Sequence, residues 1–230
     1  MPEESKPLTL DPNTLENQGF SRIRLVHLLL FVAAFVAIAA SAAFVLQGEV
    51  GRSDVMTLLA LAFSAAAAAV LVSVLPLGRE AMPALGLVPT GWRPIVFGSL
   101  ATLALSVAVS LVGPQPESLK EVVDVMRGPR MLTASIVVLG LLAPLAEELI
   151  FRGLLFGWLE GRWNAGVAWI VSSLAFAAAL IDVAHIVLVL PLGLLFGWLR
   201  WRTGSLMPSL AAHAINNSAA VLAARFLAGV

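Results

Sequence analysis

The sequence predicts an all-α membrane protein with about seven transmembrane helices. Hydrophobic residues make up 60% of the 230 residues and charged residues only 12%, whereas soluble domains contain about 25% charged residues. A bilayer core about 30 Å thick needs roughly 20 apolar residues in a helix, and several stretches of the chain reach that length. Both observations indicate a polytopic protein whose surroundings are the lipid bilayer.

Charge and residue content exclude several classes of function. The formal net charge is zero, which gives no reason to expect nucleic acid as a partner. The chain has no cysteine and no tyrosine, so disulfides, thiolate catalysis and a tyrosine proton donor are excluded.

The N-terminal part divides into a leader and a first group of helices. Residues 1–22 are polar and lack the basic start and short apolar core of a secretory signal, which predicts a disordered cytosolic leader. Residues 23–130 are predicted to contain transmembrane helices at 23–46, 55–77 and 94–112. An amphipathic interfacial helix is expected next, because apolar residues recur there at helical spacing; they are Leu119, Val122, Val123 and Met126.

The remaining residues, 131–230, are predicted to form four further spans. These are expected at 131–158, 167–181 and 186–199, and from Leu206 to the end. The first of them is longer than a bilayer requires, so its end is expected to project or tilt. The loops on the same side of the membrane as the N-terminus would contain eight Lys and Arg residues, and the loops on the other side would contain five. The positive-inside rule then favours a cytoplasmic N-terminus.

A charged cluster interrupts the fourth span in the stretch LAPLAEELIFRG. Glu148 and Arg152 are four residues apart with the glutamate first, which places them on one helical face in the favourable order for an ion pair. Glu147 is rotated by about 100° from Glu148 and has no partner within its own helix. Charges inside a bilayer are costly and mark functional sites. The pair is therefore either a structural staple between helices or part of a site, and Glu147 is a candidate general base.

Two further polar groups lie in the last spans. His213 and Asn217 in AAHAINNSAA share one helical face, where an imidazole and an amide can hold a water, a metal or a developing oxyanion; helix–helix hydrogen bonding is the alternative. The stretch SSLAFAAALIDVAH contains Ser172 and Ser173, which fit helix packing. The stretch ends with Asp182 and His185 near the predicted loop between the fifth and sixth spans.

These motifs resemble those of the CPBP family, the CAAX-protease and bacteriocin-processing intramembrane proteases also called the Abi family. The resemblance rests on AEELIFRGLLFGWL and on LGLLFGWLRWRTGSLMPSLAAHAINN, and covers roughly residues 131–220. It implies a core of four helices around a conical intramembrane cavity, and a membrane-associated protein or peptide as substrate. Glu147 would be the general base, Glu148 and Arg152 would orient the site, His213 would bind water or a metal, and Asn217 would form the oxyanion hole.

The chain departs from the family pattern at one position. The Phe-x-x-x-His motif of the family would place a histidine four residues after Phe176, where this chain has Leu180. His185 is five residues further on, about 140° away on a continuous helix. Either a protease works without that histidine, with His185 entering from the loop, or the fold serves as a catalytically impaired scaffold, partner or immunity protein.

The sequence is compatible with more than one cofactor and more than one class of function. The resemblance implies either a glutamate protease without metal or a zinc enzyme, for which Glu147, His213 and His185 are the candidate ligands. A transporter with an intramembrane proton site is the generic alternative for buried carboxylates, but no internal repeat supports it. The compact helical chain suits a bacterial inner membrane.

Overall fold

The computed structural model describes residues 22–45, 55–113, 131–179 and 183–227, and these form helices and connecting turns without a β-strand. The seven main helices are α1 Leu25–Val45, α2 Val55–Val74, α3 Trp92–Val112, α4 Met131–Arg162, α5 Ala165–Ala178, α6 Val183–Thr203 and α7 Met207–Leu227. A 3₁₀ segment, Leu75–Glu80, and a single α-turn, Ala81–Ala84, extend α2. Residues 1–21 of the predicted leader, the predicted interfacial helix and the positions of Leu180 and Asp182 lie outside the described residues.

Five of these helices are long and apolar enough to cross a membrane: α1, α2 with its extension, α3, α4 and α6. Helix α5 has 14 residues, fewer than the roughly 20 that a bilayer requires. Helix α7 carries His213, Asn216 and Asn217, which make it less apolar; His213 and Asn216 are buried inside the protein and Asn217 is half-buried. The all-α polytopic fold is confirmed, and the seven predicted spans are seven helices of which five meet the spanning criterion.

Helix α7 lies at the centre of the helix arrangement. It packs against α3, α4 and α6, while α5 covers α6 and the end of α4, and α1 packs on α2. One apolar cluster joins α2 to α4 through Val70, Leu149 and Leu154. A second joins α5, α6 and α7, and it includes Phe176 and Phe196. The polar residues of α4 and α7 therefore meet within an apolar shell.

Helix α4 is irregular on both sides of its two glutamates. π-helical segments at Ile136–Leu142 and Leu149–Leu155 flank the α-helical turn Ala143–Glu148. π-helical turns are rare and are frequent at functional sites. In the first segment the Ala143 N–H donates to the carbonyl five residues earlier, and Pro144 has no N–H to donate. The local sequence thus leaves a backbone carbonyl of α4 open to a side chain from another helix.

One end of the bundle, which we call the basic face, carries most of the described cations. It contains the starts of α1, α3, α5 and α7 and the ends of α2, α4 and α6. Hydrogen bonds of 2.7 Å tie two of its connections together, from the Leu206 N–H to the Gly86 carbonyl and from Ser205 Oγ to the Val88 carbonyl. Seven arginines lie there: Arg22, Arg24, Arg79, Arg93, Arg162, Arg200 and Arg202.

The basic face also carries every tryptophan of the chain. The six residues are Trp92, Trp158, Trp163, Trp169, Trp198 and Trp201. Tryptophan is enriched at the boundary between the bilayer and water. These side chains therefore indicate the level of one membrane interface.

Candidate active site

A buried ion pair forms the base of the site. Arg152 Nη1 donates to Glu148 Oε1 at 3.0 Å, and neither side chain has exposed surface, so the predicted pairing is confirmed. Arg152 Nη2 donates to the Gly193 carbonyl of α6 at 3.0 Å. The guanidinium carbon lies 4.2 Å from the centre of the Phe176 ring, within cation–π distance. The cation is thereby compensated by a carboxylate, a carbonyl and an aromatic face.

Gly193 allows α6 to approach this guanidinium. A Cβ atom at Gly193 would lie 2.9 Å from Phe176 Cδ1 and 3.4 Å from Arg152 Nη2. The Gly193 carbonyl also accepts a hydrogen bond of 2.9 Å from Ser173 Oγ. Ser173 therefore serves helix packing, as its sequence context predicts.

His213 lies between the two glutamates. Its Nδ1 is 3.1 Å from Glu148 Oε1 and its Nε2 is 3.5 Å from Glu147 Oε2. Its ring stacks on Phe196 with the centroids 4.7 Å apart and the planes 22° apart. An ionised carboxylate can only accept hydrogen bonds, so Nδ1 is the donor to Glu148. In the neutral ring, Nε2 is then the acceptor nitrogen, and it faces Glu147.

The two carboxylates differ in their access to the surroundings. The side chain of Glu147 is 24% exposed, whereas that of Glu148 is fully buried. The sequence correctly placed the partner of Glu147 outside its own helix, and the structure shows that this partner is His213 on α7. Glu147 is therefore the carboxylate of the pair that a water molecule can reach.

Asn217 contacts the irregular part of α4. Its Nδ2 donates to the Leu139 carbonyl at 3.2 Å. That carbonyl is open because Ala143 bonds elsewhere and Pro144, the next donor position, lacks an N–H. Asn216 Nδ2 lies 3.5 Å from Asn217 Oδ1, and the Asn217 amide keeps a second N–H. A proline inside a helical run was the sequence signal for this contact.

Arg200 is a neighbour of the candidate site that the sequence interpretation missed, because it counted Arg200 among the loop cations. The residue is only 6% exposed, and its Nε donates to the Arg152 carbonyl at 3.2 Å. That carbonyl is available because the Phe156 N–H, its α-helical partner, bonds to Phe151 and Gly153 instead. The second π segment is thus held by α6 in the same way that Asn217 of α7 holds the first.

The loop after α2 restrains Arg200, so a side chain at Gly86 in this loop should destabilise the protein. Gly86 has φ +77°, and a Cβ atom there would lie 2.6 Å from Arg200 Nε. Gly204 has φ +65° with open space around its Cβ position, so Gly204→Ala should cost only about 1–2 kcal/mol for the left-handed backbone. Gly86→Ala should cost about 1–3 kcal/mol more, because the guanidinium must move.

Thermal unfolding of the two glycine variants in the same detergent would check this prediction. Equal losses of stability for Gly86→Ala and Gly204→Ala would contradict the proposed restraint on Arg200.

The candidate metal ligands do not form a complete set. His185 precedes Gly193, the α6 residue that contacts Arg152, by eight residues. It therefore lies about 12 Å along the helix from that contact. Among residues 22–45, 55–113, 131–179 and 183–227, no three His, Cys, Asp or Glu side chains are placed to hold a metal ion. The donor set of Glu147, His213 and His185 therefore does not fit zinc.

Comparisons with known proteins agree with these features. Residues 129–219 match the family described as type II CAAX prenyl endopeptidase Rce1-like. The chain is also 29% identical over 111 residues to a protein of Bacillus subtilis (strain 168), provisionally named membrane peptidase YdiL. That alignment covers 48% of this chain and 44% of the relative, so the chain spans less than half the length of that relative. No solved structure matches the chain.

Proposed function

We propose that this chain, whose residues 129–219 match the family of Rce1-like type II CAAX prenyl endopeptidases, is an intramembrane endopeptidase of the CPBP type. Its substrate would be a membrane-associated protein or peptide, of the CAAX type or a peptide precursor. The observation that carries the proposal is the position of His213 between two carboxylates of which only Glu147 is accessible. A membrane peptidase needs a base that can reach water, and this arrangement supplies one.

The nucleophile would be a water held by Glu147 Oε2 and His213 Nε2. These atoms are 3.5 Å apart, so one water can lie within hydrogen-bonding distance, about 2.8 Å, of both. Both atoms are acceptors when His213 donates to Glu148 through Nδ1, so the water directs its two hydrogens towards them. Its lone pair is then left to attack a peptide carbonyl.

The proton and the developing charge can each be assigned a group. Glu147 takes the proton as the water oxygen bonds to the carbonyl carbon, and it returns the proton to the leaving amine when the C–N bond breaks. The free N–H of Asn217 would donate to the oxyanion. Glu148 and Arg152 touch neither reacting atom in this scheme, and they orient His213 instead.

The depth of the site favours access from the basic face. His213 is six residues into α7, roughly 9 Å from the start of that helix. On α4, a Cβ at Gly153 would lie 3.2 Å from Leu85 Cδ2 in the loop after α2, and Glu147 is six residues before Gly153. The positive-inside rule would place this face, and with it the N-terminus, in the cytoplasm of a bacterial cell with the protein in its inner membrane.

The second candidate function is a catalytically impaired scaffold, partner or immunity protein. It is favoured by Leu180, which stands where the family motif has a histidine. Losing a proton-transfer or orienting group typically costs about 10²–10⁴-fold in rate. A chain with that loss could keep the fold as a partner or immunity protein.

Cleavage of a membrane-anchored peptide library by the purified protein separates the two functions. We expect wild-type protein to cleave, and we expect Leu180→His to raise the rate because it adds the missing orienting group. Leu174→His, on the exposed side of α5, is the control for adding a histidine nearby. A silent wild type that gains activity only with Leu180→His would identify a switched-off protease, and silence of all three proteins would overturn the proposed activity.

A further inference from the structure

A cleft on the basic face lies apart from the carboxylate site. It is formed by the start of α3 and the end of α6 and has a volume of about 300 Å³. Its walls are largely apolar, with two arginines among the lining residues, which are Arg93, Pro94, Phe97, Trp198, Leu199, Arg202 and Thr203. Gly98 lets the two helices approach, because a Cβ there would lie 2.8 Å from Leu199 Cδ1.

Within the part of the chain that the structure describes, no acidic side chain pairs with the two arginines of the cleft. Arg93 and Arg202 are both exposed. The guanidinium of Arg93 lies 5.8 Å from the ring centre of Trp92. Both cations therefore keep their hydrogen-bond donors available for an anion at the level of the tryptophan residues.

An apolar surface continues from the cleft towards the middle of the membrane. Exposed apolar residues follow Arg93 along one face of α3 at spacings of three and four, which is the spacing of a single helical face. They are Phe97, Leu100, Ala104, Val107 and Leu111. A ligand that fits both parts has an anionic head and a long apolar tail.

We propose that this cleft binds an anionic phospholipid, with the headgroup phosphate between Arg93 and Arg202 and an acyl chain along the exposed face of α3. Charge complementarity selects the headgroup, because basic pockets between transmembrane helices bind anionic lipids. Trp198 would pack at the level of the glycerol backbone, where tryptophan is favoured. The proposal does not depend on the peptidase activity, since none of these residues belongs to the carboxylate site.

Lipid titration of the full-length protein tests the proposal. Phosphatidylglycerol or phosphatidylcholine would be added to the detergent-purified protein, with thermal unfolding and native mass spectrometry as the readouts. We expect phosphatidylglycerol to raise Tm more than phosphatidylcholine does and to bind at one saturable site. Each arginine near an anionic lipid surface contributes roughly fivefold to the binding affinity, so Arg93→Gln/Arg202→Gln should weaken binding about 25-fold.

Two matched variants distinguish a built site from general surface charge. Arg79→Gln/Arg162→Gln removes the same charge from the same face but outside the cleft, and it should retain tight phosphatidylglycerol binding. Arg93→Lys/Arg202→Lys keeps the charge and should retain most of the binding. Equal loss in both glutamine variants, or wild-type binding by Arg93→Gln/Arg202→Gln, would overturn the proposal.

Discussion

Replacing Glu147 with glutamine is expected to abolish peptide cleavage while the protein stays folded. The substitution keeps the shape of the side chain and removes its ability to accept a proton from water. Loss of a general base typically lowers the rate by about 10²–10⁴-fold. Because the side chain is 24% exposed, stability should change little. The measurement is the rate of cleavage of a membrane-anchored peptide, with Tm as the check on folding.

Glu80→Gln is the matched control for this experiment. Glu80 forms an ion pair of 3.4 Å with Arg22 at the surface of the basic face and is far in sequence from the site. Exposed ion pairs contribute little to stability. The Glu80→Gln variant should cleave the peptide at the wild-type rate. Cleavage that survives Glu147→Gln in a folded protein would show that Glu147 is not the base, and the role would then have to be assigned elsewhere.

The second large effect is expected at the buried cation. Arg152→Met removes the partner of a fully buried Glu148 and leaves that charge uncompensated, which typically costs about 3–5 kcal/mol. It also removes the hydrogen bond to Gly193 that joins α4 to α6. We expect a large fall in Tm and little folded protein in detergent. Arg162→Met, at the exposed end of the same helix, should unfold near the wild-type temperature.

A double variant separates loss of the ion pair from loss of packing volume. Glu148→Leu/Arg152→Met replaces both charges by apolar groups, and buried pairs replaced in this way often lose little stability. It should therefore be more stable than Arg152→Met alone, although it should not cleave, because His213 loses the acceptor of its Nδ1. A double variant as unstable as Arg152→Met would show that the packing of the guanidinium, rather than its charge, holds α4.

Much of the fold could be predicted from local sequence because the bilayer imposes a simple requirement. Backbone polar groups in lipid must be bonded within the protein, so long apolar runs become helices. The predicted spans at 23–46, 94–112 and 186–199 correspond to α1, α3 and α6. The pair of Glu148 and Arg152 was equally predictable, since a four-residue spacing brings two side chains together on any helix.

Other features depend on contacts between residues far apart in the chain. Arg200 looked like a loop cation, and it is buried because the carbonyl of Arg152, 48 residues away in the chain, is open to it. The regular helix assumed for 131–158 contains two π segments, and only the neighbouring helices satisfy the carbonyls that these segments release. Helical spacing alone does not predict which carbonyls lack a donor within their own helix. Pro144, which has no N–H, indicates the first of them.

The sequence by itself determined the helical membrane class, the ion pair within α4 and the set of polar residues from which a site could be built. Only the tertiary structure decided which of those residues contact one another and which of them are exposed. His213 contacts both glutamates because α7 packs against α4, and that packing buries Glu148 while leaving Glu147 partly exposed. Adjacent identical residues have the same local chemistry, so the difference between them arises from the helix that lies opposite each one.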